Sequence, residues 1–299
     1  MNTSLVVIGP TSSGKSDLAI ALAQDFRGEV ISADSRQVFT GMNIGSGKIT
    51  KEEQALAPHF LLDVADPKDD YNISHFLTDA RKAREEIIAR GNLPIVCGGT
   101  GFWIQALVED QQLPEVPPDE QLRTELTKLS VEELFAELQK KDAVRADSID
   151  AHNKVRLIRA LEIVDALGAV PQTHTVTIDE KEWCVLALTP NKELLHERIE
   201  KRLEKRLDDG MLAETQRLHD DGVSWERLEN FGLEYRWTAQ LLQKKVSEQE
   251  MCDGLLTDIK HYAKRQMTWL RRWERSGAQI HWLEEPAGAK GIVRNFLQK

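Results

Sequence analysis

Eight residues carry the clearest chemistry in this chain: Gly9, Pro10, Thr11, Ser12, Ser13, Gly14, Lys15 and Ser16. Two glycines flanking four residues, followed at once by lysine and serine, form the GxxxxGK[ST] pattern of a phosphate-binding P-loop. Consecutive backbone N–H groups and a helix N-terminus surround phosphate oxygens, Lys15 neutralises charge, and the Ser16 hydroxyl can ligate Mg2+. Taken alone the loop suggests ATP. The same cradle serves kinases, GTPases, ATPases and transferases, so other residues must decide.

The second candidate is Asp34, within Ser32-Ala33-Asp34-Ser35-Arg36-Gln37-Val38-Phe39. It falls just past an expected strand, on the edge of a parallel sheet where ligands of such loops bind. A carboxylate there can accept a proton. In isolation, an Asp-Ser pair after a strand serves more often as a helix N-cap than as a base. A guanine-reading Asn-Lys-x-Asp would mark a GTPase, but Asn191-Lys192-Glu193-Leu194 and Asn153-Lys154-Val155-Arg156 both lack the final acid. Leu61-Leu62-Asp63 resembles the end of a Walker-B strand, although a structural turn is the commoner origin of such a run.

These residues need a frame to position them. Leu5, Val6, Val7 and Ile8 are uniformly apolar and run into Gly9-Pro10, as a buried parallel strand does. Residues 15–26 place Leu18, Ala19, Leu22, Ala23 and Phe26 on one helical stripe. Further strands are expected at 30–32, 59–64 and 93–97, with a helix over 73–90. Alternation that starts from a P-loop predicts an α/β fold, a P-loop NTPase-like parallel sheet flanked by helices on both faces. After a helix over 102–108 the pattern changes at Leu113-Pro114-Glu115-Val116-Pro117-Pro118, and a charged, mainly helical stretch runs to about Gly168. This reads as an inserted helical subdomain at 113–180 within a catalytic core made of 1–112 and 181–299. The apolar run from Trp183 to Leu188 returns the chain to the sheet. Helices follow Asn191, and 279–283 offers a last short strand.

At 299 residues, 41% hydrophobic and 29% charged, the chain has the composition of a folded globular protein. Cys97, Cys184 and Cys252 are far apart and form no CxxC pair or zinc-spaced cluster, which suits a reducing cytosol. The first residues lack the basic and long apolar segments of a signal peptide or membrane anchor, so a cytoplasmic protein without membrane contact is expected. A net charge of −10 weighs against a nucleic-acid partner, yet residues 260–275 hold six Lys/Arg against the single acid Glu274. On a helix, Lys260, Lys264, Thr268, Arg271 and Arg275 share one face beside Tyr262, Trp269 and Trp273. That face suits an RNA backbone, and the tryptophans are expected to pack inward.

Taken together these segments resemble the tRNA dimethylallyltransferases, also called tRNA isopentenyltransferases, over nearly the whole chain. The resemblance rests on the P-loop, on Ser32 to Gln37, on Gly98-Gly99-Thr100-Gly101, and on Asn153 and Arg156 before Arg159-Ala160-Leu161-Glu162. It continues through Arg198-Ile199-Glu200-Lys201-Arg202 and Tyr262-Ala263-Lys264-Arg265-Gln266-Met267-Thr268-Trp269. It implies transfer of a five-carbon group from dimethylallyl diphosphate to the exocyclic amine of an adenosine 3' of the anticodon, in tRNAs reading codons that start with U. It further implies Asp34 as the base, Thr11 between the reacting centre and the diphosphate, Ser16 on Mg2+, and Arg202 on the diphosphate. Ser35, Arg36, Gln37, Thr100, Arg123 and the run Lys154, Val155, Arg156, Leu157, Ile158 and Arg159 would contact the anticodon stem-loop, the base being flipped from its stack. A monomer is the implied state.

Some positions depart from that pattern. Asn153-Lys154-Val155-Arg156 is shorter than the usual Asn-Asp-x-Gln-Arg, Phe102-Trp103 replaces Leu-Tyr, and Arg206 stands where a methionine is usual. Two other functions use the same residues: a P-loop small-molecule or nucleotide kinase with an arginine-rich lid, and a tRNA-binding protein with a relict P-loop. Intact Lys15, Ser16 and Asp34 weigh against the latter.

Overall fold

The computed structural model describes residues 2–114, 116–171 and 178–298. It divides into two compact units, Met1–Asp110 with Thr177–Lys299, and Gln111–Val176.

The first unit opens with β1 (Ser4–Ile8), buried along its length. Burying a Val, Leu or Ile side chain contributes roughly 1.5–3 kcal/mol, so this all-apolar run belongs at the centre of a sheet. α1 (Lys15–Phe26) follows and buries Leu18, Ala19, Leu22 and Ala23. Arg27, at φ 53°, ends it, and β2 (Gly28–Ser32) starts at the next residue. α2 (Lys51–Gln54), with a Thr50–Glu53 capping box, leads to β3 (His59–Phe60). Then come α3 (Ile73–Ala89), β4 (Leu93–Gly98) and α4 (Gly101–Val108).

The second unit is helical among its described residues: α5 (Glu120–Thr127), α6 (Val131–Lys141), α7 (Ala143–Ser148) and α8 (Lys154–Leu167). Side chains at Asp119, Ser130, Asp142 and Asn153 cap these helices in turn. Their apolar stripes meet in a core of Leu126, Leu134, Leu138, Ala146, Leu157, Ala160, Leu161 and Val164.

The first unit resumes with β5 (Trp183–Leu188), α9 (Lys192–Asp208), α10 (Met211–Asp220), α11 (Trp225–Phe231) and α12 (Leu233–Leu242). The long α13 (Glu248–Arg275), β6 (Ile280–Leu283) and α14 (Ala289–Leu297) complete it. All strand pairings are parallel and the order is β3-β2-β4-β1-β5-β6. Register aligns the strand ends: Ile8 lies opposite Gly98 on one side and Ala187 on the other, and Ser32 lies opposite Cys97. The loops that leave β1, β2 and β4 therefore emerge side by side.

The expected strand at 59–64 stops at Phe60, because Leu61 (φ 62°) and Asp63 (φ 54°) adopt left-handed backbone that no ladder accommodates. Asp63 accepts from the buried Lys48 ammonium at 2.5 Å, so it holds a turn rather than ending a Walker-B strand. No helix among the described residues is long and apolar enough to cross a membrane.

Candidate functional site

The P-loop links β1 to α1. No side chain caps α1, since its N-cap is Gly14, and the first-turn N–H groups are left to an external acceptor. Among the described residues Lys15 Nζ reaches only the Pro10 carbonyl, at 3.4 Å. Burial lowers its pKa, Asp34 and Cys97 oppose that fall, and Arg202 and Arg206 add to it. These groups share one electrostatic environment. Ser13 Oγ is buried without a hydrogen-bond partner among the described residues, an unmet polar group inside the cradle.

Asp34 leaves β2 beside this loop. Its Oδ1 accepts from the N–H groups of Arg36 (2.9 Å) and Gln37 (3.4 Å). The N-cap-like use of this side chain and a proton-accepting role coincide, because the turn occupies one carboxylate oxygen and fixes the orientation of the other. The turn after β4 closes over the same segment. Thr100 N–H donates to the Ala33 carbonyl at 3.3 Å, and Ser35 N–H donates to Thr100 Oγ1 at 3.0 Å. A Cβ at Gly98 would lie 2.1 Å from the Ala33 carbonyl oxygen, which explains the glycine at this crossing.

Arg36 and Gln37 are partly committed within the protein. Arg36 Nε donates to the Phe231 carbonyl at 2.7 Å, with the guanidinium 5.3 Å from that ring's centroid. Gln37 Nε2 donates to the Gly47 carbonyl at 3.2 Å, and its Oε1 accepts from Ser32 Oγ. Arg202 Nη2 reaches the same Gly47 carbonyl from α9 at 3.2 Å. Burial, then the neighbouring Arg206, pulls the Arg202 pKa down to about 10. Lys15, Asp34, Gln37, Thr100 and Arg202 thus gather at one edge of the sheet.

Two residues without an assigned role in the sequence organise this edge. Gln266 of α13 accepts from Thr11 N–H at 2.8 Å through Oε1 and donates to the Gly99 carbonyl at 2.8 Å through Nε2. Glu214 of α10 accepts from the consecutive N–H groups of Asn43, Ile44 and Gly45 at 2.9, 2.8 and 2.9 Å, and from the Tyr235 hydroxyl at 2.9 Å. It fastens the loop that carries Gly47. Both residues lie on buried helical stripes, with Ala263, Leu270 and Trp273 or with Met211 and Leu218. A polar residue on such a stripe is the signal by which sequence could have found them.

The remaining candidates belong to the helical unit. Glu162 is 2% exposed and gathers them: Arg123 donates to it through Nε (2.7 Å) and Nη2 (3.0 Å), and Arg159 through Nη1 (3.4 Å). Arg159 also donates to the Val116 carbonyl. Lys154 Nζ donates to the Thr127 carbonyl, Val155 and Arg156 are exposed, Leu157 is wholly buried in the core and Ile158 packs against it. Of the run 154–159, then, the exposed contact surface is offered chiefly by Val155 and Arg156. On α13, Lys264, Thr268, Arg271 and Arg275 are exposed, while Lys260 pairs with Glu200. Trp273 is buried and donates to Glu109, and Trp269 lies 5.3 Å from it, ring to ring.

A family model described as IPP transferase matches residues 37–273, and a second, described as isopentenyl transferase, matches residues 1–65. A protein of Treponema denticola named tRNA dimethylallyltransferase 2 is 41% identical over 94% of this chain and 96% of its own length. One of the same name from Trichlorobacter lovleyi is 40% identical over 98% and 97%. Among solved structures, a tRNA isopentenylpyrophosphate transferase from Bacillus halodurans superposes with a TM-score of 0.73 at 31% identity, over 100% of this chain and 97% of that one. A eukaryotic dimethylallyltransferase described as acting on tRNA gives a TM-score of 0.83 at 25% identity, over 99% of this chain and 79% of that one.

Proposed function

The chain belongs to the IPP transferase family, and on that footing we propose that it transfers a dimethylallyl group from dimethylallyl diphosphate to the exocyclic amine of the adenosine 3' of the anticodon, in tRNAs reading codons that start with U. The observation that carries this reading is the parallel register: adjacent strand ends deliver a phosphate cradle and an oriented carboxylate, Asp34, to one edge.

In the proposed reaction the amine nitrogen forms a bond to C1 of the dimethylallyl group, the C1–O bond breaks, and its electron pair leaves on the diphosphate. The amine proton passes to Asp34. Lys15 and Arg202 counter the charge that develops on the leaving group, while Thr11 lines the boundary between diphosphate and reacting carbon. The P-loop fits a magnesium diphosphate: the Ser16 hydroxyl is a hard oxygen ligand, and the orphaned Ser13 Oγ and uncapped α1 amides suit phosphate oxygens. Mg2+ would neutralise part of the leaving group's charge. Carboxylate, histidine and cysteine side chains form no metal-holding cluster among the described residues, so Ser16 and the diphosphate would supply the ligands, a common arrangement for this ion. Ser35, Arg36, Gln37 and Thr100 would read the flipped adenosine, and Arg123, Val155 and Arg156 would meet the stem-loop.

The test is a mass measurement. Protein, Mg2+, dimethylallyl diphosphate and an anticodon stem-loop with consecutive adenosines should yield RNA heavier by one dimethylallyl group. Unmodified RNA, together with ATP-dependent phosphoryl transfer to a small acceptor, would make the chain a kinase.

A further inference from the structure

Arg202 and Arg206 lie one turn apart on α9, and both guanidinium groups close over Gly47. A Cβ on Gly47 would lie 2.3 Å from Nη2 of Arg202 and 1.8 Å from Nη2 of Arg206. Only glycine, here at φ 62°, leaves room for two arginines at one place. Like charges this close repel, and the protein does little to separate them. Arg206 is 9% exposed, with Nη1 donating to Glu234 of α12 at 2.6 Å. Among the described residues its Nε and Nη2 have no acceptor. Besides Glu234, the acids within electrostatic reach of Arg202 are Asp34 and Glu53, and Glu214, which fastens the loop carrying Gly47, is engaged by the loop amides and Tyr235. Lys15 and Asp34 lie within electrostatic reach of this pair.

We propose that Arg206 is a second guanidinium of the diphosphate site, held by Glu234 through Nη1 and presenting Nη2 beside Arg202 to a phosphate oxygen, so that it sets the affinity for a diphosphate anion. This rests on the function proposed above. A planar guanidinium anchored at one nitrogen keeps the other directed, an arrangement that a lysine or a methionine at 206 does not reproduce. The ion pair with Glu234 offsets the cost of burying Arg206 before the anion arrives. A bound diphosphate then relieves the repulsion between the two arginines.

Calorimetric titration of inorganic pyrophosphate with Mg2+ into the full-length protein tests this. Arg206→Met should weaken binding about tenfold and raise KM for dimethylallyl diphosphate in parallel, leaving KM for the RNA unchanged. Arg206→Lys should recover part of the loss, and Lys205→Met, on the exposed face of α9, should match the wild type. Glu234→Gln breaks the contact between α9 and α12 but retains the guanidinium, so it should bind pyrophosphate more tightly than Arg206→Met. Wild-type pyrophosphate affinity in Arg206→Met, or equal losses in Arg206→Met and Glu234→Gln, would reduce Arg206 to a tie between helices and overturn the proposal. A wild-type protein that binds pyrophosphate yet transfers no dimethylallyl group would instead defeat the proposed reaction and leave the Arg206 result readable.

Discussion

Gln266 accepts from the Thr11 amide and donates to the Gly99 carbonyl, both at 2.8 Å, and so joins the P-loop to the turn after β4 through one side chain. A neutral carboxamide can do both at once, whereas a carboxylate or a hydrocarbon of the same size cannot. Gln266→Leu should strip both bonds and leave two enclosed backbone groups unmatched, at about 1–3 kcal/mol each. Thermal unfolding should show the loss, and KM for the diphosphate substrate should rise because Thr11 is released. Gln266→Glu, which keeps the acceptor alone, should fall between the two.

Asp34→Asn retains an Oδ1 acceptor for the Arg36 and Gln37 amides, so the turn should persist. What is lost is the ability to take a proton. Turnover should drop by about 100-fold or more, with RNA affinity, read by gel mobility, close to wild type. Undiminished turnover would remove Asp34 as the base.

Glu214→Ala opens the loop at residues 43–45. Three consecutive amides and a buried tyrosine hydroxyl lose their acceptor together. The loss should reach about 3 kcal/mol or more in denaturant unfolding, with Glu214→Gln less damaging since it keeps one acceptor oxygen.

The helical unit carries an acid-sensitive contact. Burial pushes the Glu162 carboxyl up, but hydrogen bonds from Arg123, the Asp119 amide and Arg159 outweigh it, and the net pKa lies below the usual 4.5. Since the folded value is the lower one, this contribution is present in full above the unfolded pKa and disappears as pH falls through the folded one. Hydrogen exchange in α5 and α8 should therefore accelerate as pH drops below that of an ordinary glutamate, after correction for intrinsic rates. Glu162→Gln should already exchange faster at neutral pH and respond less to acid. Arg123→Ala should reproduce much of that defect.

The parts of the fold read correctly from sequence are those fixed by local pattern. The all-apolar runs at β1, β4 and β5 could only be interior strands, and the P-loop announces the strand before it and the helix after it. Asp34 was legible because it is two residues past β2. β3 was not. Its length depends on residues 61–65 turning back to pair with 37–40, through bonds such as Val64 N–H to the Val38 carbonyl and the Phe39–Ala65 bridge. For Gln266 and Glu214 the sequence carries only the inward position on a buried helical stripe; what each one fastens depends on acceptors and donors far along the chain.

That distance has a consequence for the newly made chain. Thr11 and Gln266 are separated by 255 positions, and translation at about 5–20 residues per second spreads their emergence over on the order of ten to fifty seconds. The loop proposed to grip diphosphate leaves the ribosome well before the side chain that fixes its Thr11 amide. A nascent chain therefore cannot make this bond before α13 has emerged. Truncations ahead of Gln266 would retain β1–β5 but leave the loop between β1 and α1 unsecured, which ties the onset of activity to the emergence of α13.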